Sequence, residues 1–324
     1  MLRAAICGAG HWGTRLIESV HGKSLKIGFT AAVTRNPAAR RNLSERFGLA
    51  LTPSYAEVLA DPTIDAVVLA TPHSQHASEI AAAAKAGKHV FCEKPFTLTL
   101  TDAEVAIATC RAAGVTLQVG FNRRYAPAYA DMTRRIKMGE IGVLRHIEGH
   151  FSGPPSYQTD PANWRSNQTE SPGGAMTARG VHVVDSMVHI AGPVAQVFSF
   201  SSRLHHDIDV DDTTSCLVRF ARGVTGYLGT LHAASQFYRI HVFGSNGALE
   251  IRGETELLAS DLAGNVRRHN YDAVDKECAE LEAFADAVAG GVSFVIAPAE
   301  IVNTVAVTEA VVASARSGTM VAIP

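Results

Sequence analysis

The sequence has little of what marks several large protein classes. Aromatic residues make up 7% of its 324 positions and charged residues 19%, and the formal net charge is -2. A balance so close to neutral offers no basic face for nucleic acid and no acidic tail. The longest apolar runs, such as Ala66–Ala70 and Ala81–Ala84, are far shorter than the roughly 18 residues that cross a bilayer. We therefore expect neither nucleic acid nor a membrane as a partner.

Cysteine is also scarce, and this bears on the compartment. The chain has five cysteines and no C-x-x-C spacing, which argues against a disulfide framework and against a cysteine zinc site. We expect buried, reduced thiols. The start, Met1-Leu2-Arg3, leads into a short strand and does not resemble a signal peptide. A cytoplasmic location is the expectation.

Short apolar runs alternate with alanine-rich helical segments in the first third of the chain. This pattern predicts an α/β domain with a doubly wound parallel sheet. Its first strand, Ala4–Cys7, is followed at once by Gly8-x-Gly10-x-x-Gly13 and a helix. In that spacing the first glycine permits a tight turn, the second lets backbone approach a pyrophosphate, and the third lets helix pack against strand. The segment predicts a dinucleotide site with the phosphates at the helix N-terminus.

The tip of the second strand, Lys26–Val33, bears on the choice of cofactor. In NAD sites an acidic residue usually binds the ribose, whereas a 2′-phosphate requires a hydroxyl group and a cation. The tip reads Thr34-Arg35-Asn36 and has no carboxylate, so the sequence favours NADP. The alternative is NAD, with Arg35 pointing into solvent.

Two further strands should end over the same ligand, because ligands of α/β sheets bind at the carboxyl ends of the strands. The third strand, Ala66–Ala70, ends in Thr71-Pro72-His73, and the fourth, His89–Cys92, ends in Glu93-Lys94-Pro95. His73 either contacts the dinucleotide or only begins the next helix. Lys94 is the candidate proton donor or acceptor. The residues expected to contact the cofactor are Gly8, Gly10, His11, Trp12, Gly13, Thr34, Arg35, Thr71, Pro72, His73, Glu93 and Lys94.

The pattern changes after Phe121, where strands follow one another with few helices between them. They are expected at 144–150, 195–201, 214–220, 224–232, 238–243 and 248–252. Successive strands pair antiparallel, so we predict an α+β domain with an open, mostly antiparallel sheet. Helices near 276–289 and 298–316 complete it. The predicted division is a dinucleotide-binding domain at 1–121 and a substrate-binding and oligomerisation domain at 122–324, which is expected to form a homodimer or homotetramer through the open sheet.

Three motifs in this order carry a family resemblance: Gly8-x-Gly10-x-x-Gly13, Glu93-Lys94-Pro95 and the segment 173–185. The chain resembles the Gfo/Idh/MocA family of NAD(P)-dependent oxidoreductases, which act mostly on sugars, inositols and related diols. The resemblance implies that Lys94 and His182 sit against the substrate hydroxyl and the nicotinamide. Hydride leaves a carbinol carbon only as the hydroxyl proton is taken, so this pair would transfer that proton. His182 has a structural alternative, as a satisfied histidine at a helix start.

The chain departs from the family pattern at Ala178, where many relatives carry an aspartate four residues before the histidine. Alanine neither orients a histidine nor accepts a proton. Thr177 or Arg179 is one possible substitute. Asp185 is another, because positions i and i+3 share a helix face. The departure keeps a second function open, a non-catalytic NAD(P)-binding sensor or regulator of the same fold.

Further polar residues are candidates for binding a polyol or sugar. An arginine can clamp a carboxylate and a tryptophan can stack on a sugar face; each candidate has ordinary loop packing as its alternative. The run 205–212 contains His and Asp but no recognisable metal-ligand spacing, so it is expected to be a solvated loop, and we predict no metal site. The residues expected to contact substrate are Asn122, Arg123, Tyr125, Trp164, Arg165 and Asp185.

Overall fold

The computed structural model describes residues 1–154, 160–205 and 207–324. Up to residue 121, short strands alternate with helices. The elements are β1 (Leu2–Cys7), α1 (His11–Val20), β2 (Ile27–Val33), α2 (Arg41–Phe47), β3 (Ala50–Thr52), α3 (Tyr55–Ala60), β4 (Ala66–Leu69), α4 (His76–Lys85), β5 (His89–Cys92), α5 (Leu100–Ala113) and β6 (Leu117–Val119).

These six strands form one sheet in the order β3-β2-β1-β4-β5-β6, and every pair is parallel. All four residues of β4 are buried, as expected of a strand that is covered by helices on both faces. The strand order reverses direction between β1 and β4, which is the point where dinucleotides bind in such sheets. The predicted Rossmann fold is confirmed, although β3 was missed because three residues are too few to show a period.

The remaining part of the chain is richer in strand. Its elements are α6 (Pro127–Lys137), β7 (Leu144–Ser152), α7 (Val181–Ala191), β8 (Val194–Ser202), β9 (Thr213–Phe220), β10 (Thr225–Leu231), β11 (Phe237–Gly244), β12 (Gly247–Arg252), β13 (Glu256–Asp261), β14 (Val266–Asn270), α8 (Lys276–Ala289), α9 (Pro298–Ser317) and β15 (Val321–Ala322).

The nine strands form a second sheet in the order β14-β13-β12-β11-β7-β10-β9-β8-β15. The sheet is mostly antiparallel, as predicted, with one exception. β10 pairs parallel to β7, with Thr225 opposite His146. Between these two strands the chain forms α7, β8 and β9, and a connection of that length allows a parallel return.

The chain divides into two compact units. Unit 1 comprises 1–97, 101–122 and 275–298, and unit 2 comprises 98–100, 123–274 and 299–324. The predicted division, with a single boundary after residue 121, had left 275–298 in the second domain. These residues belong to unit 1 because Leu281 and Phe284 of α8 join the core formed by α1 and Phe91. All five cysteines are free and four of them are buried, as the sequence predicted.

Unit 2 buries one face of its sheet and exposes apolar residues on the other. Side chains of α7 and α9 pack with the buried residues of the strands. Along β9 burial alternates residue by residue, which is the pattern of a sheet with one covered face. Leu217 of β9 is 61% exposed and Phe200 of β8 is 67% exposed. Among the described helices, none is both long and apolar enough to span a membrane.

Candidate active site

The glycine-rich turn after β1 has the geometry that the spacing predicted. Gly8 has φ +94°, and a Cβ atom there would lie 2.5 Å from the carbonyl oxygen of Ala70. A Cβ on Gly13 would lie 2.2 Å from the Gly8 carbonyl oxygen, whereas one on Gly10 would meet nothing within 4 Å. Side chains are therefore excluded beneath the turn, and the backbone at Gly10 is open to a ligand.

The start of α1 is suited to an anion. Its N-cap is Gly10, no side chain caps it, and its first turn carries no acidic residue. Free N–H groups and the helix dipole attract phosphate at such an end. His11 beside this turn is exposed and Trp12 is partly exposed. At the end of β2, Thr34 is partly exposed and Arg35 is exposed. These features fit the dinucleotide that the glycine spacing predicts.

The ring of His76 contacts two backbone carbonyl groups and so fixes the loop after β4, a role that the sequence did not indicate. The ring of His76, 0% exposed, places Nδ1 2.9 Å from the Pro95 carbonyl oxygen and Nε2 3.2 Å from that of Thr71. The Thr71 hydroxyl donates to Glu79. His73 is 8% exposed, with its ring 5.8 Å from that of His76. This network holds the loop after β4 against Pro95.

Lys94 follows β5 at its carboxyl end, beside a buried acid. Glu93 is 5% exposed, its Oε2 accepts the backbone N–H of Lys94 at 3.2 Å, and a Cβ on Gly120 would lie 2.8 Å from its Oε1. Burial raises the pKa of Glu93 to about 7, although the Trp12 indole and the charge of Lys94 oppose the rise. The Lys94–Pro95 peptide bond is cis. A cation and a tuned carboxyl group thus lie together in unit 1.

Helix α8 adds two buried carboxyl groups to this part of unit 1. Glu277 is 5% exposed, and its carboxylate accepts hydrogen bonds from Asn122 Nδ2 at 3.0 Å and from Arg15 Nη2 at 3.2 Å. Glu280 is 0% exposed. Burial, and then the charges of Glu93 and Glu277, raise the pKa of Glu280 well above its ordinary value. Asn122 is 7% exposed and donates a hydrogen bond to Glu277; its contact with substrate stays a prediction.

The sequence held one signal for these acids. Positions i, i+3 and i+4 share a helix face, so Glu277, Glu280, Leu281 and Phe284 lie on one stripe. An apolar stripe that contains two glutamates is unusual for a core helix. The helix itself was predicted, but its return to the dinucleotide-binding unit was not.

His182 stands in the first turn of α7, directly after a π-helical turn at Met176–Gly180. π-Helical turns are rare and occur frequently at functional sites. His182 is 6% exposed, and Phe151 lies against its ring with 6.1 Å between centroids. Ala178 lies in the π-helical turn, and its N–H donates to the Gly174 carbonyl at 3.1 Å. His182 is thus a buried residue of unit 2, and backbone hydrogen bonds such as that of Ala178 hold the turn that precedes it.

Asp185 has a partner other than the one that the sequence suggested. Its carboxylate is 1% exposed and accepts hydrogen bonds from Arg124 at 2.7 and 2.9 Å. Arg124 also pairs with Glu300 at 2.7 Å. Burial by itself lowers the pKa of Arg124, but the charge and hydrogen bonds of Asp185, together with the charge of Glu300, outweigh burial and raise that pKa. Asp185 thus belongs to a buried ion pair with Arg124, and its contact with substrate stays a prediction.

The other predicted substrate residues of unit 2 also have protein contacts. Arg123 pairs with Glu254, and its guanidinium lies 4.7 Å from the ring centroid of Phe151. The guanidinium of Arg165 lies 3.8 Å from the ring centroid of Trp164, so that it covers the tryptophan face expected to stack on a sugar. Tyr125 is partly exposed at the end of a 3-10 turn. Arg123 therefore has structural partners within unit 2, and its contact with substrate stays a prediction.

The acidic run near residue 210 is only partly a solvated loop. Asp212 is 1% exposed and accepts the backbone N–H groups of Leu204 and His205 at 2.9 and 2.6 Å. His206 lies outside the described residues. Across the described residues, no three His, Cys, Asp or Glu side chains are grouped so as to hold a metal ion.

Comparison with known proteins gives the family. Residues 2–121 match the model of the oxidoreductase family with an NAD-binding Rossmann fold, and 129–250 match the GFO/IDH/MocA C-terminal domain. The scyllo-inositol 2-dehydrogenase (NAD(+)) of Bacillus subtilis is 30% identical over 90% of this chain and 87% of its own. The chain belongs to the Gfo/Idh/MocA family of oxidoreductases.

Two further relatives of this Gfo/Idh/MocA protein are informative. The D-xylose 1-dehydrogenase (NADP(+)) 2 of Haloferax volcanii is 26% identical over 90% of each chain. A solved structure from Desulfitobacterium hafniense has a TM-score of 0.91 and 26% identity over 99% of this chain and 97% of that one. The family and the sheet order together make the chain an oxidoreductase with an NAD-binding domain.

Proposed function

We propose that this oxidoreductase transfers hydride between a nicotinamide cofactor and a secondary alcohol or ketone of a sugar, an inositol or a related diol. The observation that carries the proposal is the position of Lys94, which follows β5 of the NAD-binding sheet beside the buried Glu93. The names of the two enzyme relatives, which act on an inositol and on xylose, support this substrate class.

Lys94 and His182 are the proposed proton-transfer groups. When bound, the nicotinamide accepts or gives the hydride. In the oxidising direction Lys94 takes the hydroxyl proton of the substrate, and His182 shares it. Glu93 sets the electrostatic environment of Lys94. Tyr125, Trp164 and Arg165 stay in the proposal as substrate contacts.

The proposed cofactor is NADP, with NAD as the alternative. Support comes from the tip of β2, where Thr34 and Arg35 provide a hydroxyl group and an exposed cation but no carboxylate. That combination suits a 2′-phosphate. The relatives' names include both cofactors. The proposed phosphate-binding surface is the glycine turn at Gly8–Gly13.

A cofactor-coupled activity screen tests the proposal. The purified protein is mixed with NAD⁺ or NADP⁺ and a panel of sugars, inositols and dihydrodiols, and reduced cofactor is followed by absorbance. We expect oxidation of at least one polyol, with a lower KM for NADP⁺ than for NAD⁺. Tight cofactor binding with no turnover on any panel member contradicts the proposal. That result favours the sensor alternative, for which Ala178 is the specific observation.

We also propose that the protein is a homo-oligomer that associates through the exposed face of the second sheet. Leu217 and Phe200 leave an apolar surface there in unit 2, and large exposed apolar patches commonly mark interfaces between proteins. The cytoplasmic location stays a prediction.

A further inference from the structure

Unit 1 contains a group of three buried carboxyl side chains, Glu93, Glu277 and Glu280, that we name the carboxyl cluster. They are 5%, 5% and 0% exposed. Glu277 is satisfied by Asn122 and Arg15. Within the described residues, neither side-chain oxygen of Glu280 has a hydrogen-bond partner. A fully buried carboxyl group without a hydrogen-bond partner is energetically unfavourable when it is ionised.

The cost of burying charge decides the ionisation state of the cluster. A buried carboxylate without a partner is strongly disfavoured, and it usually takes up a proton instead. The cations that act on the cluster are Lys94, Arg15 and Lys276. Arg15 is ion-paired with Glu277. The negative charges of Glu93 and Glu280 repel each other. Chiefly because of burial, the pKa of Glu93 is raised to about 7 and the pKa of Glu280 is raised well above its ordinary value.

Glu93 brings the cluster to the end of the sheet that the nicotinamide half of a dinucleotide should reach. The pyrophosphate-binding turn follows β1, and the sheet order reverses between β1 and β4, so a dinucleotide crosses from β2 toward β5. Glu93 stands at the carboxyl end of β5. The oxidised nicotinamide carries a positive charge and the reduced one does not. A positive charge near a carboxyl group favours its ionised form.

We propose that the carboxyl cluster holds one proton, on Glu93 or on Glu280, that leaves when oxidised cofactor binds and stays when reduced cofactor binds. The carboxyl O–H bond breaks, the electron pair remains on the carboxylate, and the proton passes to the buffer. No electron transfer is involved. Because binding releases a proton, affinity for the oxidised cofactor rises with pH around neutrality, whereas affinity for the reduced cofactor does not. The inference requires only the NAD-binding domain, so it holds or fails independently of the proposed substrate.

Isothermal titration calorimetry of the full chain tests the proposal. NADP⁺, NADPH, NAD⁺ and NADH are titrated at about pH 7 in buffers of different ionisation enthalpy, and the slope gives the number of protons released. We expect release of about half a proton for the oxidised forms and near none for the reduced forms. Glu280→Gln should abolish the difference while binding persists. The matched control is Glu282→Gln, a partly exposed acid on the same helix, which should behave as wild type.

Lys94 is the competing source of a released proton, and a second variant separates the two. The proposal expects Lys94→Met to keep the release that Glu280→Gln loses. Loss in Lys94→Met together with retention in Glu280→Gln overturns the proposal. Equal proton release for oxidised and reduced cofactor in the wild-type protein overturns it without any variant.

Unfolding in the absence of cofactor provides a further readout. A carboxyl group whose pKa is raised in the folded state holds a proton there that the unfolded chain has already lost. Stability therefore falls as pH rises from the unfolded pKa through the folded one. Glu280→Gln removes one ionisable group from the cluster. We expect its denaturant midpoint to exceed that of the wild type at about pH 8 and to match it near pH 5. The same midpoint difference at both pH values contradicts the proton held by the cluster.

Discussion

Arg35 is the one residue at the end of β2 that can recognise a 2′-phosphate through charge. Its side chain is exposed, so binding a phosphate there costs little desolvation. We expect Arg35→Ala to weaken NADPH by about tenfold or more and NADH by much less, since charge-assisted hydrogen bonds are the strong ones. Fluorescence titration of both reduced cofactors measures the ratio.

The control for this prediction is Arg145→Ala, an exposed arginine in unit 2. It should leave both affinities unchanged. If Arg35→Ala weakens the binding of NADPH and NADH equally, Arg35 does not contact a 2′-phosphate, and NAD is favoured as the cofactor.

At the level of single residues, the sequence identifies groups whose roles are local. Gly8 and Gly13 are recognisable because a tight turn between strand and helix demands glycine at those positions. Lys94 is recognisable because it directly follows the carboxyl end of a buried strand, β5. Glu277 and Glu280 are not, because their environment depends on contacts with residues more than 150 positions away. The partners of Asp185 and Arg123 are also distant in sequence, at 61 and 131 positions.

Helix α7 is anchored by the buried pair between Asp185 and Arg124. Removing one partner of a buried pair costs up to about 3–5 kcal/mol, and without Asp185 the Arg124 charge would keep only the partly exposed Glu300 as a partner. We expect Asp185→Asn to lower the free energy of unfolding by an amount in that range. Urea denaturation followed by circular dichroism measures it.

An exposed ion pair supplies the matched control. Lys26 and Asp286 are 46% and 60% exposed in their side chains, and such pairs contribute roughly 0–1 kcal/mol. Asp286→Asn should therefore have little effect. If Asp185→Asn is as mild as the control, the ion pair does not anchor α7.

At the level of elements, hydrophobic periodicity and apolar runs predict most of the helices and strands. The predicted helix at 276–289 has the bounds of α8, and the strands around 214–220 and 238–243 are those of β9 and β11. β13 and β14 were missed; the latter carries Arg267 and Arg268 and buries little. The parallel pairing of β7 with β10 was also missed, because the local sequence of a strand does not determine which strand pairs with it.

For the whole molecule, the exposed sheet face of unit 2 predicts self-association. Leu217 is 61% exposed on β9, the third strand from one edge of that sheet. A charge placed there would have to be desolvated on association, so we expect Leu217→Glu to shift the population toward monomer. Light scattering coupled to size-exclusion chromatography gives the mass. Leu262→Glu, at a turn residue 77% exposed, should leave it unchanged; an unaltered mass for Leu217→Glu places the interface elsewhere.

The proposed reaction depends most on Lys94, which we propose transfers the substrate proton in a nicotinamide-dependent oxidation. The most direct measurement compares Lys94→Ala with wild type, using the best substrate from the screen and recording kcat together with the cofactor Kd. We expect a kcat lower by about 100-fold to 10,000-fold, the usual contribution of a positioned acid or base, with the Kd nearly unchanged. Lys85→Ala, an exposed lysine at the end of α4, should match wild type. A Lys94→Ala protein that turns over at nearly the wild-type rate would contradict the claim.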